Sequence, residues 1–322
     1  MAVPTGTFTT YEVIGNREDL TNRVMDISPM DTPFVSNIAR VRASHTLHEF
    51  QTDVLAAATS GNKTLEGDDA TTNTATPTVR FANYAQLQDK VARVTDTQGG
   101  MNPAGREDEL DYQVAKRTRE LKRDVESALL GLQAADAGSA LTARSLAGAS
   151  AWLWDNNVEK GTAGTTPTVT SGAPTTAPTA STAGTFTEAN LKSVLQACWT
   201  DGGDAQTVLM GIWNKSLASA FSGVATLYRD SQGDQPATIL GAADIYISDV
   251  GKHFLVADRF CPGGTVYCLD LEYWKSAWME GGINTVPLAK TGHSERVMIR
   301  CELTLEACAP TSSGKIETTT TS

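Results

Sequence analysis

Between Asn102 and Leu132 the chain carries its longest uninterrupted helical pattern, and a helix of that size dictates much of what can be built around it. Asn102-Pro103 is a start signal, and Glu107, Asp108, Glu109 and Asp111 place negative charge at the positive end of the helix dipole. Leu110, Val114, Leu121, Val125, Ala128 and Leu132 recur at helical spacing and predict one buried stripe. A helix over 103–132 would be about 45 Å long at 1.5 Å per residue, well beyond the usual three turns. It is expected to serve as a beam. Lys116–Glu120 and Lys122–Glu126 read as i,i+4 ion pairs on its wet face. The same stretch holds Arg117, Arg119 and Arg123, but acids are equally dense there, which argues against a nucleic-acid-binding helix.

Ahead of the beam lie two short amphipathic segments that cannot stand alone. In NREDLTNRVMDISPMDTPFVSNIARV, Asn16 caps a first helical piece with Leu20, Val24 and Ile27 on one face, and Ser28-Pro29 stops it. Thr32-Pro33 starts a second piece with Phe34, Ile38 and Val41 at the same spacing. Burying three aliphatic side chains returns about 1.5–3 kcal/mol each, whereas ordering the backbone costs about 1–2 kcal/mol per residue. Each piece must therefore dock, on its own subunit or on a neighbour.

The next region reads as a long hairpin. Ser44 to Ala58 (SHTLHEFQTDVLAAA) and Thr78 to Asp96 (TVRFANYAQLQDKVARVTD) are extended, and Thr59 to Pro77 is a polar tip with Lys63, Glu66, Asp68 and Asp69. A lone two-stranded hairpin is marginal in water, so this one also needs a surface to lie on. Lys160 to Thr185 is an uncharged Thr/Gly/Ala/Pro tract with nothing to bury, expected to be a flexible crossing. A compact unit follows, opening with a helix capped by Thr187. RVMIRCELTLEACAP alternates as a long closing strand, and the tail IETTTTS holds no apolar pattern.

The chemistry of catalysis is thinly represented. There is no phosphate-binding glycine loop, nucleophile elbow, zinc-protease or calcium-loop spacing. Asp249, His253 and Asp258 could be drawn as an orienter, base and acid, but any ordinary loop holds such letters. His45 and His48, three apart in an extended segment, fall on opposite faces and do not make a metal pair. The acids of Glu66 to Asp69 fit a solvated tip better than a cation site. The five cysteines, Cys198, Cys261, Cys268, Cys301 and Cys308, are odd in number and hold no C-x-x-C spacing, so neither a disulfide framework nor a zinc site is implied. No cofactor is expected. A net charge of -11 argues against a nucleic-acid surface as the main business. No run is apolar enough to span a membrane, and MAVPTGTFTT lacks the features of a signal peptide, from which synthesis in the cytoplasm is expected.

Particular wording adds to this layout. REDLTNRVMDISPMDTPF, HEFQTD (His48 to Asp53), NYAQ (Asn83 to Gln86), RELKRDVESALL (Arg119 to Leu130), ARSLAG with AWLW (Ala143 to Trp154), NKSLASAF (Asn214 to Phe221), VADRFCPGGTVYCLDLEYWKSAW and LAKTGHSERVMIRCELTLEA occur in order along nearly all of the chain. They resemble the major capsid proteins of tailed phages with the Hong Kong 97 phage capsid fold. That resemblance implies an α+β fold with an N-terminal arm (1–43), an extended β-hairpin loop (44–100), a peripheral domain (101–185) with its spine helix at 103–132 and the crossing at 160–185, an axial domain (186–289), and closing strands with a tail (290–322). It implies a non-enzymatic virion protein that assembles in the host cytoplasm into hexamers and pentamers of an icosahedral head. Expected partners are copies of itself, a portal, a separate scaffolding protein, decoration proteins, and packaged double-stranded DNA without sequence-specific binding. A scaffold is expected to be separate because the likeness begins within the first dozen residues. Leu20, Val24, Ile27, Phe34, Ile38, Val41, Lys63, Glu66, Asp68 and Asp69 are the expected inter-subunit contacts. Another virion structural protein such as a tail-tube subunit, or more remotely a cytoplasmic enzyme, is the alternative.

Overall fold

The computed structural model describes residues 31–69, 75–101, 105–106, 108–154, 157–159, 165–179, 184–221 and 244–317. The chain begins with α1 (Pro33–Asn37) and runs through β1 (Ala39–Arg42), β2 (Leu47–Thr52), β3 (Val79–Tyr84), β4 (Gln86–Thr95) and α2 (Asp96–Gly99) to the beam helix α3 (Glu109–Leu129). Next come α4 (Ala149–Trp152), β5 (Asn157–Glu159), β6 (Val169–Thr170), β7 (Ala173–Pro174), α5 (Glu188–Thr200), β8 (Thr207–Met210) and α6 (Ile212–Ser219). The last third holds β9 (Ile245–Ile247), β10 (Lys252–Ala257), β11 (Thr265–Leu269), β12 (Trp274–Trp278), β13 (Asn284–Pro287), β14 (Ser294–Ala307) and β15 (Gly314–Glu317).

The beam is shorter than its sequence pattern. Its cap is Asp108, whose side chain accepts from Leu110 N at 2.6 Å and Asp111 N at 3.3 Å. Gly105, just before, has a φ of 77°, a left-handed conformation that no helix can include. The 21 residues that remain span about 32 Å. Leu121, Val125 and Leu129 form the buried stripe, Leu110, Val114 and Ala128 are half-buried, and Leu132 lies beyond the helix end. Neither expected ion pair forms. Glu120 pairs with Arg117 at 2.6 Å rather than with Lys116, and Glu126 is wholly buried instead of facing water.

Two sheets flank this helix. In the first, the long β14 pairs with β4 on one side and with β12 and β13 on the other, and β1 adds itself parallel to β12. The helix α3 packs on β4 and β14, and the core between them holds Leu121, Val125, Trp274, Ile299, Leu303 and Leu305. The second sheet runs β5-β15-β11-β8-β10-β9, and Leu191, Val194 and Cys198 of α5 pack with Val208, Val266 and Ile316 in a separate core. The two cores meet at the β10–β11 region, where Leu255 belongs to one and Val256 packs against the other.

The arm and hairpin expectations change here. The second amphipathic segment is helical only to Asn37; the chain then enters β1, so Val41 is a half-buried strand residue. Phe34 and Ile38 lie in the first core of their own subunit, Phe34 against the Trp274 ring at 6.1 Å. They are therefore not available to a neighbour. The expected strand from Ser44 to Ala58 is regular only over β2, and the returning stretch splits at Ala85 into β3, which pairs with β2, and β4, which belongs to the first sheet.

Candidate inter-subunit surfaces

The β2–β3 ribbon is short and its base is fastened to the body. Leu47 faces Tyr84 and Thr52 faces Val79 across six antiparallel pairs. Phe50 and Phe81 lie 5.7 and 5.8 Å from the Trp152 ring, and Phe81 also meets Trp154 at 5.9 Å. Trp152 can reach that position because Gly148 sits directly on Gly131, where a Cβ would collide with the Gly131 carbonyl. Asn83 of β3, fully buried, donates to Ala147 O at 3.2 Å and Leu305 O at 2.8 Å and accepts from Ala147 N at 2.8 Å. Its amide is satisfied on both ends, which makes it a staple between ribbon and body.

A polar contact reinforces this seat. His48 Nε2 lies 3.2 Å from Glu306 Oε2, and Lys275 Nζ approaches Glu306 Oε1 at 3.3 Å. Burial would raise the Glu306 carboxyl, but hydrogen bonds from His48 and Cys308 and the Lys275 charge outweigh it and hold it down at about 2.

Past Thr52 the chain leaves the body altogether. Residues 53–69 and 75–78 are exposed. Among them Val54, Leu55 and Leu65 are 81, 93 and 79% exposed, three aliphatic side chains on a stretch that touches little of its own subunit. Lys63, Glu66, Asp68 and Asp69 are exposed at the same tip, where Asp68 N donates to Leu65 O and Gly67 supplies a φ of 85°. Val54, Leu55 and Leu65 were not singled out by the sequence. The signal was there, as three aliphatics inside an otherwise polar stretch, but Val54-Leu55 read as the continuation of a strand. Leu20, Val24 and Ile27 lie outside the described residues. On the second sheet, Ile245 and Ile247 of β9 and Phe254 of β10 are also exposed, on the last strands of that sheet among the described residues.

The drawn triad does not form. His253 is buried, with Nδ1 2.7 Å from Ala205 O and Nε2 2.7 Å from Ser248 Oγ, the arrangement of a satisfied core histidine. Asp258 meets Glu126 instead. Glu126 accepts from Phe34 N at 2.7 Å and Val35 N at 2.9 Å, capping α1, while Asp258 accepts from Phe260 N at 2.8 Å. Burial pushes Glu126 well above the carboxylate range against the pull of the two N–H donors, with Asp258 raising it further; Asp258 is raised by burial too. The five cysteines form no disulfide, and no group of three or more His, Cys, Asp or Glu that could hold a metal occurs among the described residues.

Sequence comparison decides the family: the SU10 major capsid protein family matches residues 3–320. The chain belongs to that family. It is 30% identical over 353 aligned positions to the major capsid protein of Escherichia phage Phieco32, covering 99% of this chain and 98% of the relative. Among solved structures it is similar to that of Mycobacterium phage Adephagia, with a TM-score of 0.60 at 10% identity and 98% and 99% of the two chains covered. Gordonia phage Cozz gives 0.59 at 10% identity over 94% and 91%, and the capsid of a native GTA particle gives 0.59 at 12% over 97% of each. At these identities the structures speak to fold alone. The protein is a tailed-phage major capsid protein with an α+β fold of the Hong Kong 97 type, a structural component of the virion that assembles into multimeric shells.

Proposed function

We propose that this subunit builds hexamers and pentamers of an icosahedral head enclosing a double-stranded DNA genome, and that two segments carry its reach between subunits. One is the loop from Asp53 to Thr78; the other is the arm ahead of Asp31. The domain scheme that goes with this reading is an arm at 1–43, an extended loop at 44–100, a peripheral unit at 101–185 closed by 290–322, and an axial unit at 186–289. The observation that carries it is the loop: a ribbon bolted to the body by Asn83 and Trp152 leads into exposed chain bearing Val54, Leu55 and Leu65. Rigid at the root and apolar at the reach is what a segment needs if it is to dock on a neighbour without first paying for its own orientation.

Many such contacts of modest strength close a shell through effective concentration rather than through any tight pair. The net charge of -11 suits a wall that must not bind the packaged DNA. The acidic tip around Lys63 is read as a non-covalent contact to basic side chains of a neighbour, because Lys63, Glu66, Asp68 and Asp69 all lie exposed along one stretch. Portal, a separate scaffolding protein and decoration proteins complete the partners, assembly takes place in the host cytoplasm, and the subunit performs no turnover. Expression of the full chain followed by electron microscopy tests the reading: closed particles of icosahedral symmetry are expected, and tubes or a stable monomer would overturn it.

A further inference from the structure

The joint between the two cores holds a pair of acids that no shell contact explains. Glu126 lies on the inner face of α3 and is 0% exposed; Asp258, at the end of β10, is 2% exposed. Both Glu126 oxygens are occupied by the N–H groups of Phe34 and Val35, and Asp258 Oδ1 takes Phe260 N. Asp258 Oδ2 is buried with no hydrogen-bond partner. Two carboxylates do not both stay ionised side by side in such a place, since the three backbone N–H groups offset only part of the lost hydration and the two charges repel. A single proton between them satisfies the orphaned oxygen and removes one charge.

We propose that Glu126 and Asp258 share one proton and form a latch that fastens the turn after β10 to the spine helix and the seated arm helix, opening when that proton is lost to solvent base. The surroundings offer no rescue to the ionised pair. The α1 side facing Glu126 provides only backbone N–H groups, its residues being Pro33–Asn37. On α3 Arg123 lies with its guanidinium 5.5 Å over the Phe260 ring. From the turn and β11 come Cys261, whose thiol donates to Thr265 O, and Tyr267, whose hydroxyl donates to Leu130 O at 2.7 Å; burial holds both in their neutral forms. Asp31 and Arg259, both exposed, share with Asp258 and Asn214 a cavity of about 500 Å³. Neither Glu126 nor Asp258 forms an ion pair with a Lys, Arg or His among the described residues. Asp258 lines that cavity and Glu126 does not, so solvent base would reach the pair from the Asp258 side.

The sign follows from proton counting. The folded subunit keeps a proton that the unfolded chain gives up near 4.5, and Glu126 is raised to about 8. The latch therefore contributes most at low pH and is lost as pH rises through about 8, whereas Glu306 is an acid-side contact. This holds for the single subunit and does not depend on the shell reading.

Hydrogen exchange on the full chain at pH values from about 6 to about 10, corrected for the intrinsic base-catalysed rate, tests it. In the wild type the amides of Phe34, Val35, Asp258 and Phe260 should lose protection by about tenfold or more across that range, while those of Leu121 to Val125 keep theirs. Asp258→Asn, whose Oδ1 keeps the Phe260 N–H and whose amide nitrogen donates to an ionised Glu126, should make the profile flat; Glu126→Gln should flatten it at Asp258 and Phe260, while its amide nitrogen can no longer accept one of the two α1 N–H groups. A flat wild-type profile, or a loss that persists in both variants, would overturn the latch. The wild-type profile alone decides if a variant does not fold.

Discussion

His48 and Glu306 lie 3.2 Å apart across 258 positions of sequence, and through them the first strand of the hairpin is held to the closing strand β14. The contact explains how a ribbon of six pairs stays in place, because Lys275 and Cys308 reach the same carboxyl and Phe50 packs beside His48. Glu306 is depressed to about 2 from an ordinary 4.5, so its stabilisation is present in full above 4.5 and is lost as pH falls through 2. Glu306→Gln should cost about 1–3 kcal/mol at neutral pH and flatten the acid limb of the stability profile. Denaturant melts of the unassembled subunit at several pH values measure this, and an acid limb unchanged in the variant would sink the assignment.

From Pro33 to Arg42 the arm belongs to its own subunit's body. Phe34 is fully buried and its neighbours build β1 onto β12, so removing 1–43 strips a core residue and a strand from the subunit itself. Phe34→Ala alone should cost about 3–5 kcal/mol. Removing only 1–30 should leave the melting temperature within a few degrees of the intact chain while closed shells fail to form. Calorimetry and electron microscopy of the two truncations separate these effects; normal shells from the shorter one would show that the leading segment is dispensable.

What the sequence made legible was pattern; what it hid was partnership. The beam's stripe at Leu121 and Val125, the hairpin and the closing strand all follow from periodicity, and periodicity is local. Glu126 looked like a wet-face residue because an acid four places from Lys122 fits an ion pair, and only the arrival of α1 and Asp258 from far away in sequence makes its position interior. The beam's start was misplaced for a different reason: Asn102-Pro103 is a valid start signal, but Asp108 is a better cap and Gly105 turns the wrong way for a helix. Phe34 and Ile38 were read as outward-facing because an amphipathic segment does not say whose surface it will cover.

The exposed aliphatics of the loop give a clean separation of folding from assembly. Val54→Asp, Leu55→Asp and Leu65→Asp each replace a side chain that touches little in its own subunit, so stability should change by no more than about 0.5 kcal/mol. Shell yield should collapse, since a buried unpaired charge at a docked position costs several kcal/mol per contact, repeated around the shell. Melting curves of the subunit beside sedimentation of assembled particles give both readouts. Wild-type assembly by all three variants would mean the loop docks through other residues.

The loop tip decides whether neighbours are joined by bonds or by charge. A covalent link through Lys63 would need its amine neutral, which calls for desolvation and a carboxylate placed to move the proton. Lys63 is exposed, and Glu66, Asp68 and Asp69 follow it along the same exposed stretch, so its own subunit supplies no desolvation there. The contact should therefore be ionic, weakening as salt screens it over about 10 Å at 0.1 M. Particles boiled in denaturant should run as a single band at 34.2 kDa. Neutralising Glu66, Asp68 and Asp69 to their amides should slow assembly and remove most of its salt dependence, because the charges act chiefly on encounter and orientation. A ladder of multiples of the chain mass on the gel would overturn the ionic reading, and an unchanged salt dependence in the neutralised protein would move the electrostatic contact elsewhere on the subunit.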